Sequence, residues 1–80
     1  MDAKLIHLTN KRLEQICSSL ISEGWSLVIS HGAVGCPANQ HEVIRTFRHQ
    51  NGGRIGIFVC GATIEIYRNG RLRHSESVSI

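Results

Sequence analysis

The sequence predicts an α+β fold, with one amphipathic helix packed on one face of a four- or five-stranded, mostly antiparallel sheet. Three observations support this class. Apolar residues at helical spacing occupy the first third of the chain, segments of alternating polarity fill most of the remainder, and two Asn-Gly turns separate those segments. The 80 residues are expected to form a single domain, 1–80, with a small hydrophobic core.

The helix is predicted from an apolar stripe and from residues that favour helix ends. The stripe falls at positions i, i+3, i+4, i+7 and i+8 and consists of Leu13, Ile16, Cys17, Leu20 and Ile21. Thr9 or Asn10 is a suitable N-cap, and Gly24 is a suitable C-terminal glycine, which places the helix at about 10–23. The short apolar segment 5–8 forms either a strand or the lead into this helix.

The strands are predicted from alternation and from turn residues. Residues 25–30 alternate in polarity and follow the helix directly, and residues 31–41 form a long loop that holds the only proline. Asn51-Gly52 and Asn69-Gly70 indicate hairpin turns. The segment 55–60 is apolar on both of its faces, which predicts a strand at the centre of the sheet. The further strands are predicted at about 42–49, 55–60, 62–67 and 71–76.

The charge is distributed unevenly along the chain. Residues 1–40 are neutral, and the whole net charge of +3 arises in residues 41–80, where six arginines and no lysine face three acidic residues. The planar arginine guanidinium binds carboxylates and phosphates in a bidentate manner. We therefore expect a binding surface on the sheet, with Tyr67 on the face away from the helix as its one exposed aromatic residue. Its candidate residues are Arg45, Arg48, Arg54, Tyr67, Arg68, Arg71, Arg73 and His74.

Three interpretations of such a surface are possible. Arginine and tyrosine are common in protein interfaces, which favours an acidic protein surface or a nucleoprotein complex as partner. The same groups bind single-stranded nucleic acid through phosphate pairing and base stacking. Charged sheet edges also discourage aggregation without binding anything. An open sheet edge is able to pair with a second copy, so a homodimer is a further alternative.

Two histidines and one cysteine of the loop are candidate metal ligands. His31, Cys36 and His41 are spaced H-x4-C-x4-H, and thiolate with imidazole suits zinc. The chain lacks the close cysteine pair of structural zinc sites, so we expect polar loop residues, no metal and no cofactor. The N-terminal residues also lack the apolar core of a secretory signal, which predicts a cytoplasmic protein with reduced thiols.

One segment resembles a known family. Gly24-Trp25 follows the helix, Ser30-His31 ends the next strand, and Asn51-Gly52 turns a hairpin. Over residues 12–60 this arrangement is similar to HicA-type toxins, which are small RNA-cleaving proteins of toxin–antitoxin pairs. The resemblance implies a ribonuclease with His31 as general acid or base. The chain departs from the family because no glycine precedes Ser30 and because its C-terminal part predicts strands where the family has a second helix.

These features favour a small, stand-alone, non-enzymatic binding protein. We expect an inhibitor or modulator of the kind encoded by phages and mobile elements, such as an anti-defence protein, which occupies a host protein or nucleoprotein surface through its arginine-rich sheet. Two alternatives stay open. One is the HicA-like ribonuclease, and the other is an RNA- or DNA-binding accessory protein without catalysis. Nothing in the sequence indicates a membrane partner, because no apolar run reaches membrane-spanning length.

Overall fold

The computed structural model describes residues 2–35 and 43–80. A helix, α1 (Ala3–Ser22), precedes five strands: β1 (Ser26–His31), β2 (Val43–Arg48), β3 (Arg54–Cys60), β4 (Thr63–Arg68) and β5 (Arg71–Ser77). Neighbouring strands are antiparallel and lie in chain order, so β1 and β5 form the two edges of the sheet. The predicted α+β class is confirmed, with five strands.

The helix begins at Ala3, seven residues earlier than the sequence indicated. Asp2 is the N-cap, and its carboxylate accepts a hydrogen bond from the Lys4 backbone N–H at 2.7 Å. Thr9, a candidate cap, is fully buried within the helix, where its hydroxyl donates to the Leu5 carbonyl at 2.7 Å. Because the Thr9 hydroxyl forms its hydrogen bond inside the helix, Thr9 does not act as the N-cap. The segment 5–8 is therefore helical.

The helix ends as predicted, at a glycine in the left-handed conformation. Gly24 has φ of +95° and donates to the Ile21 carbonyl at 3.1 Å, while the Trp25 N–H donates to the Leu20 carbonyl at 3.0 Å. These two bonds form a Schellman motif, which satisfies carbonyls at the helix end. The motif turns the chain directly into β1 and places Trp25 at the start of the sheet.

The hydrophobic core lies between the helix and one face of the sheet. Leu13 and Ile16 supply the buried helix residues. The buried sheet residues come from alternate positions of the strands and from the β1 entry, and they are Trp25, Val43, Phe47, Ile55, Ile57, Val59 and Ile64. Strand pairing aligns these residues across β2, β3 and β4. The opposite face, called here the open face, is not covered by any described residue.

The central strand lies where the sequence predicts it, because β3 is the middle one of five. Only one of its faces is buried, through Ile55, Ile57 and Val59. Gly56 and Phe58 alternate with them and are half-buried on the open face. This face stays open because, among the described residues, a helix covers the other face only, and burial of a strand on both faces needs a layer on each side of the sheet.

We predict that Gly24→Ala destabilises the protein by about 1–2 kcal/mol, because a β-carbon is unfavourable at positive φ and would lie 3.3 Å from Nε2 of His49. Chemical denaturation measures this loss. Ser18→Ala, at an exposed position within α1, is the matched control and should change stability by less than about 0.5 kcal/mol. Equal effects of both substitutions would contradict the proposed role of the glycine.

Candidate binding surface

Four arginines come together at one end of the sheet. Arg48 ends β2 and pairs with Arg54 at the start of β3, and Arg68 ends β4 and pairs with Arg71 at the start of β5. Arg68 pairs with the buried Ile55, so Arg68 and Arg71 lie on the helix-covered face. Arg48 and Arg54 lie on the open face at the same end of the sheet. All four side chains are exposed. We call this group, Arg48, Arg54, Arg68 and Arg71, the arginine end.

The turn between β4 and β5 holds the arginine end together. Asn69 and Gly70 have φ of +51° and +81°, as a two-residue type I′ hairpin turn requires. The Asn69 side-chain oxygen accepts from the Arg54 N–H at 3.0 Å, and the Asn69 N–H donates to the Arg54 carbonyl at 3.0 Å. Because both bonds reach the first residue of β3, they anchor the second hairpin to the first.

An aromatic contact orients one of these arginines. The Arg68 guanidinium carbon lies 5.7 Å from the ring centroid of Trp25, within range of a cation–π interaction. The His49 ring packs against the same indole, edge to face, at 5.1 Å between centroids. Gly53 permits this packing, since a β-carbon there would lie 3.0 Å from the Trp25 ring. Arg68 is thus held in place while its charge stays exposed.

No carboxylate neutralises the arginine end within residues 2–35 and 43–80. The ion pairs of the described residues join Glu76 to Arg12 and to His74, and neither pair includes a residue of the arginine end. Glu65 pairs with Phe58, four strand positions from Arg54 on the open face, and makes no salt bridge to Arg54. Positive charge therefore accumulates at this end of the sheet, which favours contact with an anionic group.

Other candidate residues lie elsewhere. The Arg45 guanidinium donates to the carbonyls of His31 and Ile44, both at 2.9 Å, and to that of Gly32 at 3.1 Å. It thereby fastens the end of β1 to β2, and its hydrogen-bonding groups face the chain itself. His74 contacts Glu76, with Nε2 2.9 Å from Oε1. Neither residue belongs to the arginine end.

The edge strand β5 contains an irregularity that simple alternation did not predict. Ile66 pairs with His74, whereas the next residue, Tyr67, pairs with Leu72. Arg73 is consequently the extra residue of a β-bulge, so simple alternation of faces does not apply between Arg71 and Arg73. Arg73 is exposed on this bulged edge, beyond the paired arginines.

The open face carries a groove next to the arginine end. It encloses about 650 Å³ and has a mainly apolar lining that reaches Arg48 and Arg54. Phe58 and Tyr67 meet in it edge to face, with ring centroids 5.4 Å apart and planes at 89°. Gly56 forms part of the floor, where a β-carbon would lie 3.1 Å from the Phe58 ring.

The placement of Tyr67 on the open face agrees with its predicted position, because it pairs with Gly56 and shares that face with Glu65. Phe58 is the residue that sequence reasoning missed. Phe58 lies between Ile57 and Val59, which are both buried. Because alternate strand residues point to opposite faces, this position indicates that Phe58 lies on the open face. The groove therefore has two aromatic rings where one was expected.

His31 and the described cysteines belong to no cluster of metal ligands. His31 is exposed at the end of β1, and its imidazole makes no hydrogen bond to the residues described. Cys36 and His41 lie outside those residues. Within residues 2–35 and 43–80, no three His, Cys, Asp or Glu side chains cluster as metal ligands would. Cys60 is exposed, and burial raises the pKa of the half-buried Cys17 thiol, which lowers its reactivity.

Across the part of the chain that the structure describes, no helix is both long and apolar enough to span a bilayer. No protein-family model, curated protein or solved structure matches this chain. Its function has to be inferred from what the fold brings together, namely the arginine end and the adjoining aromatic groove.

A bidentate ion pair attaches the helix to the far edge of the sheet. Nε and Nη2 of Arg12 donate to the two carboxylate oxygens of Glu76 at 2.9 and 3.0 Å. The hydrogen bonds from Arg12 are the main cause that lowers the pKa of Glu76, and His74 adds to the effect, while burial opposes it. This pair fixes β5 against α1 on the side opposite β1.

We predict that Glu76→Gln lowers stability at neutral pH by about 0.5–1 kcal/mol, since the pair is partly exposed. The pKa of Glu76 is lower in the folded than in the unfolded chain. The carboxylate therefore stabilises the fold above its unfolded-state pKa, and this stabilisation is lost as the pH falls through its folded-state pKa.

Denaturation of wild type and variant should show the difference at neutral pH and its disappearance in acid. Glu65→Gln is the control, because Glu65 forms no ion pair within the described residues. A loss that is independent of pH would refute this account of Glu76.

Proposed function

We propose that this chain is a non-enzymatic binding protein that inhibits or modulates a protein or nucleoprotein complex by covering an acidic part of its surface. The observation that carries the proposal is the register of the two hairpins, which places Arg48, Arg54, Arg68 and Arg71 together at one end of the sheet. The partner is an acidic protein surface or the protein part of a nucleoprotein complex.

The chemistry of these four side chains supports this role. They are exposed, and no carboxylate within residues 2–35 and 43–80 competes for them. Asn69 and Trp25 restrict the backbone of Arg54 and the side chain of Arg68, respectively. A preordered arginine loses less conformational entropy on binding, and arginine is among the residues that most often dominate interface energies.

The same proposal suggests the biological setting in which the protein acts. A protein of this size that acts by occupying a surface suits phages and mobile elements, which use small proteins to block host defence complexes. We place its action in the cytoplasm, where the exposed thiol of Cys60 stays reduced.

We predict that the double variant Arg54→Glu/Arg68→Glu loses partner binding by more than tenfold, because two interface cations become anions. The control is Lys4→Glu/Lys11→Glu, which changes net charge by the same amount on the helix. Tagged wild type and variants are used to capture partners with and without nuclease, and the affinity of any captured protein is then measured with purified components.

A protein that survives nuclease, binds wild type and the helix variant equally, and is lost from the arginine variant would support the proposal. Arg54→Lys/Arg68→Lys distinguishes bidentate recognition from simple charge, since lysine keeps the charge and loses the planar guanidinium. If the helix variant weakened binding as much as the arginine variant, net charge rather than the arginine end would be responsible, and the proposal would fail.

A second candidate function is the binding of single-stranded nucleic acid, and the groove is the observation that favours it. The Phe58 and Tyr67 rings offer stacking surfaces for bases. Arg48 and Arg54 line the same groove, where they would pair with the phosphates of the bound strand. Aromatic side chains beside arginines are the usual components of such platforms.

For this candidate we predict that Tyr67→Ala weakens binding of a fluorescently labelled single strand roughly 5- to 100-fold, as the loss of one stacked base implies. Fluorescence anisotropy over a range of salt concentrations measures it. Ile80→Ala removes an exposed apolar side chain outside the groove and should have no effect. Absence of salt-dependent binding, or degradation of the RNA that His31→Ala abolishes, would eliminate this candidate.

A further inference from the structure

The edge strand β1 is exposed along its whole length. Its three consecutive apolar residues, Leu27, Val28 and Ile29, retain 46%, 55% and 51% of their accessible surface. The strand Ser26–His31 contains no Asp, Glu, Lys or Arg. In an edge strand, alternate N–H and C=O groups point outward without a strand partner, so β1 is an uncovered pairing surface among the described residues.

The opposite edge has a different character. Along β5, charge is supplied by Arg71, Arg73, His74 and Glu76. Charged side chains are among the features that prevent edge strands from pairing with other chains. The two edges of one sheet thus differ, with β5 protected by charge and β1 lacking it.

The apolar surface extends around both sides of β1. Leu27 pairs with Phe47 on the helix-covered face, and Ile29 pairs with Thr46 on the open face, because a bulge at Val28 separates them. Ile21, in the last turn of α1 before β1, is 55% exposed. A partner that fits this edge must present a strand with apolar side chains on both of its faces.

We propose that two copies of this chain associate through β1, in an antiparallel pairing that joins two five-stranded sheets into one. A second copy of β1 meets the requirement because it presents the same apolar residues on both faces and no charge that would repel the first. A two-fold axis relates such strands, as in most homodimers.

The position of the arginine end is consistent with this arrangement. Ser26, at the start of β1, pairs with Arg48, so the arginine end lies toward the N-terminal end of β1. Antiparallel pairing sets the start of one β1 beside the end of the other, which keeps the two arginine ends apart and leaves both accessible. Dimerisation and partner binding are therefore separate properties, and loss of one does not imply loss of the other.

Sedimentation equilibrium over a range of concentrations tests the proposal with two matched variants. Val28→Lys puts a charge on β1, and Leu72→Lys puts the same charge on β5 at a position of similar exposure, 51%. Wild type and Leu72→Lys should be dimers that dissociate on dilution, and Val28→Lys should be a monomer. Circular dichroism confirms that each variant is folded, and Ile29→Lys serves as a second β1 variant.

Hydrogen exchange of the wild-type protein supplies a readout that needs no substitution. Amides of β1 should exchange more slowly as concentration rises, while amides of β5 should not change, because only pairing at β1 protects them. A wild-type monomer at every concentration, equal dissociation by the β1 and β5 variants, or concentration-dependent protection at β5 would overturn the proposal.

Discussion

The structure depends on one constraint, which is that a single helix packs against a five-stranded sheet. The helix contributes Leu13 and Ile16 to the core and covers one face, where Phe47, Ile57 and Ile64 are almost completely buried. Nothing among the described residues covers the other face, and the β1 edge is exposed as well. The groove and the uncovered edge are both direct consequences of this incomplete coverage.

A second consequence concerns where charge is located. In an antiparallel meander, alternate hairpin turns come to the same end of the sheet, so the β2–β3 and β4–β5 turns lie side by side. Arginines flank both turns, and Asn69 joins the turns through two hydrogen bonds to Arg54. Charges separated by up to 23 positions in the chain, from Arg48 to Arg71, thereby lie at one end of the sheet.

Local patterns predicted most of the fold. Gly24 ended the helix and Asn69-Gly70 turned the last hairpin as expected, because both positions require positive φ that these residues tolerate. The helix start was placed too late, because Thr9 has the side chain of an N-cap but lies buried within the helix. The strand of Phe58 was correctly predicted at the centre of the sheet. The place of Phe58 in the open-face groove was missed, since periodicity does not report how many layers cover a sheet.

The sequence by itself determined the α+β class, the order of the elements and the presence of an arginine-rich half without lysine, because each depends on neighbouring residues and composition. Only the tertiary structure decided which arginines lie at the same end of the sheet. Strand register joined Arg48, Arg54, Arg68 and Arg71, and it turned Arg45 toward the carbonyls of His31 and Gly32. Such pairings join residues distant in the chain, so they follow from packing and not from local pattern.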